Sequence, residues 1–106
     1  MKTDCPAIAK TELVRVCASG KRVSIVSEIG QPYRTPEGFW STPVALHGLD
    51  GRLSDIRGED SLQSLSLAME MVHRRLVSIV EDGDQLLDIE GSEFPFAAYF
   101  ASSHDD

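Results

Sequence analysis

The sequence predicts an α+β fold: an antiparallel β-sheet of four to five strands in ββββ-α-β order, with one long helix packed on one face. Three observations carry this. Residues 21–29, KRVSIVSEI, alternate, with Val23, Ile25 and Ile29 on one side and Arg22, Ser24 and Glu28 on the other; that period of two marks a half-buried strand. Residues 58–76, GEDSLQSLSLAMEMVHRRL, begin a run whose apolar positions recur at helical spacing. Glycines and prolines cut the remainder into short segments suited to strands and turns.

Taken in order, residues 12–18, ELVRVCA, are a short strand rich in valine, and Ser19-Gly20 is a turn leading into residues 21–29. The two strands form an antiparallel hairpin. Residues 30–38, GQPYRTPEG, hold two prolines and two glycines and are predicted to be a surface loop. Residues 39–47, FWSTPVALH, are the next strand, with Trp40, Thr42, Val44 and Leu46 on one face. Pro43 cannot donate to a ladder, so it implies an edge position, a bulge, or a strand that begins after it. Leu49 to Arg52 turn the chain, and residues 53–57, LSDIR, are a short fourth strand.

The helix is predicted over about 61–81. Asp60 is its N-cap, with Gln63 three residues on as in a capping box, and Glu59 near the positive end of the dipole. Leu62, Leu65, Met69, Val72, Leu76 and Ile79 form one stripe, widened by Ala68 and Val80. Leu65, Met69, Val72 and Leu76 are expected to be buried, with Glu70, His73, Arg74 and Ser78 on the polar side. Gly83 is the expected C′ residue. The stripe spans under three heptads, and the strands need a cover, so a helix on a sheet is preferred to a coiled coil. Residues 85–89 make a fifth strand, Gly91-Ser92 a turn, and residues 94–100, FPFAAYF, an edge strand or a short terminal helix.

The 106 residues make a single domain, with disordered ends expected at 1–10 and 102–106. Hydrophobic residues are 42% and charged residues 25%, as in ordinary soluble globular proteins. A net charge of -7 opposes binding to nucleic acid or an anionic membrane, though it suits a basic partner. Cys5 and Cys17 form neither a redox nor a metal-ligand motif, which fits a reducing cytoplasm. The N-terminus lacks the apolar run of a signal peptide, and no stretch approaches the roughly 20 apolar residues of a membrane span.

Nothing in the sequence assigns a catalytic residue, a metal or a cofactor. The glycines are single and sit at turns, so no phosphate loop is present. His47, His73 and His104 show no paired spacing, and no calcium loop occurs. Asp55, Glu59 and Asp60 gather at the helix start; Glu81, Asp82 and Asp84 gather at its end, where the dipole disfavours them. The stiff loop at 30–38 offers Tyr33 and Arg34, with Phe39 just after, as candidate partner-binding residues, since Tyr and Arg are common hot spots.

The succession Trp40-Ser41-Thr42-Pro43-Val44, Gly58-Glu59-Asp60-Ser61-Leu62-Gln63-Ser64-Leu65, Leu87-Asp88-Ile89-Glu90-Gly91 and Phe94-Pro95 resembles a family of short bacterial proteins known only as a domain of unknown function. The resemblance covers roughly residues 21–96 and is best marked by the G-x-D-S-L-Q-x-L helix start. It implies the fold and a bacterial source, and no chemistry. The tail after Phe96 is longer and more apolar than that family's pattern.

One helix covers one sheet face, yet Leu13, Cys17, Val26, Phe39 and Ala45 fall on the opposite side from Val14, Val16, Val23, Ile25, Trp40 and Val44. A cover for that second face is therefore expected, from the terminal segment 94–100 or from a second copy as a homodimer. The function expected is a small cytoplasmic protein-interaction module, binding a protein partner or itself, with an inhibitor or immunity-type protein as one form. The alternative is a small enzyme or small-ligand-binding protein with a pocket between the sheet and the 30–38 loop. Convergence of His47, Asp55 and Glu59 in a cleft would favour that alternative.

Overall fold

A computed structural model describes residues 6–100. The alternating valines and isoleucines build the first hairpin, strands β1 (Ala7–Val16) and β2 (Arg22–Gly30). Their antiparallel register sets Leu13 against Ile25, both fully buried. β1 begins at Ala7 rather than at residue 12, so part of the stretch expected to fray is strand. A register shift between Ala7 and Ala9 marks a bulge. Cys17 lies in the turn, where its N–H donates to Lys21 O at 2.8 Å. Cys5, His104 and the expectation for residues 102–106 lie outside the described residues.

The 30–38 segment is a correction. It carries β3 (Tyr33–Arg34), which pairs with β4 (Trp40–Thr42), the hairpin closed by Thr35 N–H to Phe39 O at 2.7 Å. The expected strand 39–47 is two strands, because Pro43 interrupts it. Gly30 N–H donates to Pro43 O at 2.8 Å, and the proline returns no N–H. The chain thus changes sheets at Pro43 and continues as β5 (Val44–His47), paired with β2. The reading that a strand begins after Pro43 holds. The next turn is displaced: Leu49 and Asp50 both donate to Leu46 O, and Gly51 and Arg52 are already β6 (Gly51–Arg52). The fourth predicted strand appears as β7 (Ile56–Gly58), paired with β4.

Helix α1 spans Ser61–Glu81. Asp60 Oδ1 accepts from Gln63 N at 2.8 Å, while Gln63 Oε1 accepts from Glu59 N at 2.6 Å, one residue earlier than in the usual capping box. The helix ends in a Schellman motif: Asp84 N–H donates to Ile79 O, and Gly83 N–H to Val80 O. Gly83 has φ +101, which a side chain rarely tolerates. β8 (Gln85–Asp88) then pairs with β1. The result is a five-stranded sheet, β6-β5-β2-β1-β8, and a separate three-stranded sheet, β3-β4-β7. All pairings are antiparallel, and the predicted α+β class stands, with its strands divided between two sheets.

The buried face of α1 is Ser64, Ala68, Val72, His73, Leu76 and Ile79. Leu62 and Met69 are exposed, and Leu65 is half-buried, so the expected stripe is rotated. The cause is close approach over the small sheet. Ser64 Oγ donates to Ile56 O at 2.7 Å and lies 2.6 Å from Thr42 Oγ1. A Cβ on Gly58 would stand 2.5 Å from Ser64 N, so only glycine lets β7 lie this near the helix. Towards its C-terminal end the helix covers the large sheet, where Leu76 and Ile79 share a core with Leu13, Ile25, Leu46 and Leu86.

Residues 94–100 resolve into a buried Phe94, 3% exposed, and a short helix α2 (Phe96–Tyr99). Phe94 N–H donates to Leu86 O at 2.9 Å. The segment lies on the helix side: Phe100 stacks on His73 at 4.5 Å between ring centroids, 8° from parallel. It therefore does not cross the sheet's second face as expected. Nor does Leu13 belong to that face, because it sits beside Ile25 in the core. The outward residues are Val14, Val16, Val26, Ala45 and Leu87, all half-buried, among Glu12, Arg22, Ser24, Glu28 and His47.

Candidate functional site

The three residues singled out in the sequence are held differently. Tyr33 is half-buried, and its hydroxyl donates to Asp55 Oδ2 at 2.5 Å. Asp55 Oδ1 accepts from Arg52 Nη2 at 2.6 Å, so one carboxylate ties β3 to β6. Phe39 is half-buried, with the Arg57 guanidinium 4.6 Å above its ring, a cation–π contact. Arg34 is exposed beside them. Tyr33 and Phe39 thus serve this chain's own fold, which leaves Arg34 as the side chain of the three most open to a partner.

His47, Asp55 and Glu59 fall into separate networks. His47 Nε2 lies 3.3 Å from Glu28 Oε1 on the outer sheet face. Asp55 engages Tyr33 and Arg52, while the Glu59 backbone engages Gln63. Among the described residues no group of three or more His, Cys, Asp or Glu side chains is placed to hold a metal ion.

Two ion pairs bind the helix region to the large sheet. Arg75 donates from Nε and Nη2 to the two oxygens of Asp50, each at 2.7 Å. Arg15 Nε donates to Asp84 Oδ2 at 2.8 Å. Each hydrogen bond to a carboxylate raises the arginine pKa above its ordinary value. Asp84, read as part of an unfavourable acidic cluster, is thus paired.

A different feature is the one with room for a ligand or partner. An apolar cleft of ≈ 170 Å³ opens between the sheet, with Ala9 and Thr11, the α1 side chains Met69 and Val72, and the terminal Tyr99 and Phe100. A shallower groove of ≈ 340 Å³ continues from Met69, Tyr99 and Phe100 to Leu62 and Leu65. None of residues 30–38 lines either one, so this cleft is not the pocket expected beside that loop. Leu62, Met69 and Tyr99 are 75%, 40% and 48% exposed, which makes an apolar surface around the opening. Sequence reasoning missed the site because its walls come from β1, α1 and the terminal segment, and Ala9 and Lys10 of β1 lie in residues expected to be disordered. The signal was the aromatic run FPFAAYF, richer in apolar surface than a solvent-facing tail requires.

The fold and this opening define a small α+β domain with one long helix bridging two antiparallel sheets. The chain belongs to the family described as Domain of unknown function (DUF6968), whose model matches residues 11–98. The match starts ten residues before the stretch that carries the resemblance, and it takes in part of α2. No curated protein and no solved structure matches the chain.

Proposed function

We propose that this protein is a small protein-interaction module whose contact surface is the apolar cleft between β1, α1 and α2. The observation that supports the reading is the cleft's size and lining. At ≈ 170 Å³ it falls below the roughly 300 Å³ of usual small-molecule sites, yet it suffices for one large side chain of a partner. Exposed Leu62, Met69 and Tyr99 extend the apolar area around it, as at the centre of a protein interface. The net charge of -7 means that a heterologous partner would be basic, the arrangement of an inhibitor or immunity-type protein.

The test places a photo-activated cross-linking residue at Met69, at Tyr99, or at Ala18 in the exposed turn after β1, and irradiates the cells that make the protein. Discrete cross-linked products from Met69 and Tyr99, but not from Ala18, are the expected result. Equal labelling from all three positions would overturn the assignment. A small apolar molecule retained by the purified chain, with no protein cross-link, would instead favour the ligand-binding alternative.

A further inference from the structure

The walls of the cleft are apolar, but its sheet side carries two hydroxyls. Thr11 of β1 and Ser27 of β2 stand directly opposite each other in the antiparallel register, and both line the cleft. Residues so opposed carry their side chains on one face, with Cβ atoms about 5 Å apart. That face is the one α1 covers, because Ile25 and Ile29 alternate with Ser27 along β2 and both belong to the core. Ser27 is 6% exposed. Among the described residues its hydroxyl has no hydrogen-bond partner, and neither has that of Thr11. Among those residues, too, no side-chain polar atom shut off from solvent goes unsatisfied. The Ser27 hydroxyl therefore keeps an open patch, and the surface it lines is the cleft. Lys10 is the only charged residue of the lining, and strand alternation turns its side chain to the other sheet face, opposite Glu28.

We infer that the side chain this cleft takes from a partner protein is a tyrosine, its ring between the apolar walls and its hydroxyl on Ser27 and Thr11. This rests on the interaction-module reading and names the anchor. Size comes first: an apolar cavity of about 150 Å³ holds benzene, so ≈ 170 Å³ admits one ring with a small substituent. The walls suit a ring, since Phe94, Tyr99 and Phe100 offer aromatic faces and edges and Met69 a thioether. The hydroxyls then choose among rings. A phenol both donates and accepts, which matches two hydroxyls that can each do either. A phenylalanine would cover both and pair neither. A tryptophan N–H only donates. A carboxylate or an ammonium would be buried without a counter-charge beside it. Tyrosine enters this acidic molecule neutral, so the match to a net charge of -7 falls to basic residues flanking it in the partner.

The test titrates the full chain with p-cresol and with toluene, the side-chain analogues of tyrosine and phenylalanine, and follows the Met69 methyl signal by NMR. A wholly apolar cleft would prefer toluene, which loses no hydration of a hydroxyl. The expected result is the reverse, p-cresol binding about five- to tenfold tighter. Ser27→Ala/Thr11→Val should abolish that preference and leave toluene binding as strong as before, which a merely structural role of the hydroxyls would not do. Thermal melts check each variant, and Thr11→Val alone, close to threonine in shape and only half-buried, serves if the double variant fails to fold. The peptide acetyl-Lys-Tyr-Lys-amide should likewise outbind acetyl-Lys-Phe-Lys-amide at the same methyl. Toluene binding as tightly as p-cresol, or a p-cresol preference that survives the loss of the hydroxyls, would overturn the tyrosine. Should Met69 then still cross-link to other proteins, the interaction-module reading stands with a different anchor. Selective p-cresol binding with no cross-linked protein and no preference between the peptides would overturn the partner and make a free phenol the ligand.

Discussion

Ser64 carries more of this fold than its small side chain suggests. Its hydroxyl links Thr42 and the Ile56 carbonyl at a fully buried point where the helix meets the small sheet. Ser64→Ala removes the link and leaves buried groups unsatisfied, so it should cost about 1–3 kcal/mol in denaturant unfolding. Gly58→Ala should cost at least as much, because its Cβ would overlap the helix backbone at Ser64. The control is Asp60→Ala, which loses only the N-cap bond to Gln63 N and should cost about 1 kcal/mol. If Ser64→Ala proves no more damaging than Asp60→Ala, the buried link is not what holds the two sheets to one helix. At this scale the sequence was readable where the chemistry is local. Asp60, Gln63 and Gly83 announce the helix ends through short-range rules. Ser64 and Gly58 did not stand out, because close backbone approach depends on what lies opposite.

The helix shows the same limit at the scale of an element. Its span was legible to the residue, yet the side it buries was not. Counting apolar residues selects Leu62, Leu65 and Met69, whereas close packing on β4 and β7 demands small residues and selects Ser64 and Ala68. His73 was placed on the polar side and is 8% exposed, because Phe96 and Phe100 come over it from a segment whose path no periodicity encodes. Leu76→Ala should therefore cost about 2–5 kcal/mol, since Leu76 is fully buried in the core. Met69→Ala should cost under about 1 kcal/mol. Equal losses from the two would restore the stripe as the sequence draws it. Pro43 is the sheet's counterpart. A break was legible there, but the exchange of partners across it was not, since pairing between distant strands leaves no local trace in FWSTPVALH.

For the whole molecule, the terminal segment decides how complete the core is. Phe94 is 3% exposed and meets Phe96 edge-on at 5.1 Å and Tyr99 at 4.7 Å. Ending the chain at Gly91 should lower the melting temperature by at least about 10 °C, as loss of one buried phenylalanine costs about 3–5 kcal/mol. It should also expose the floor of the cleft to a hydrophobic dye. A shortened chain that melts with the full-length protein would show that the core closes without this segment. Of the candidate site, the loop residues Tyr33, Arg34 and Phe39 were legible as a chemically rich cluster. The cleft was not, because its walls come from β1, α1 and α2, three parts far apart in the chain. No helix among the described residues is long and apolar enough to cross a bilayer.

The sheet order β6-β5-β2-β1-β8 has a consequence in time. β1 receives its first neighbour from a tight turn and its second, β8, from across the rest of the fold, where Arg15 meets Asp84. Closing so long a loop is slow relative to closing a hairpin. The β1–β2 pair should thus be formed when the folding barrier is crossed, and β8 should dock afterwards. Ile25→Val should slow refolding, while Leu86→Ala should mainly speed unfolding, as read from the two arms of a chevron plot. The reverse partition would refute this order. If it holds, every molecule passes through a stage in which the whole second edge of β1 is bare. The charged residues Lys10, Glu12 and Arg15 along that strand then act as a guard against clumping during folding.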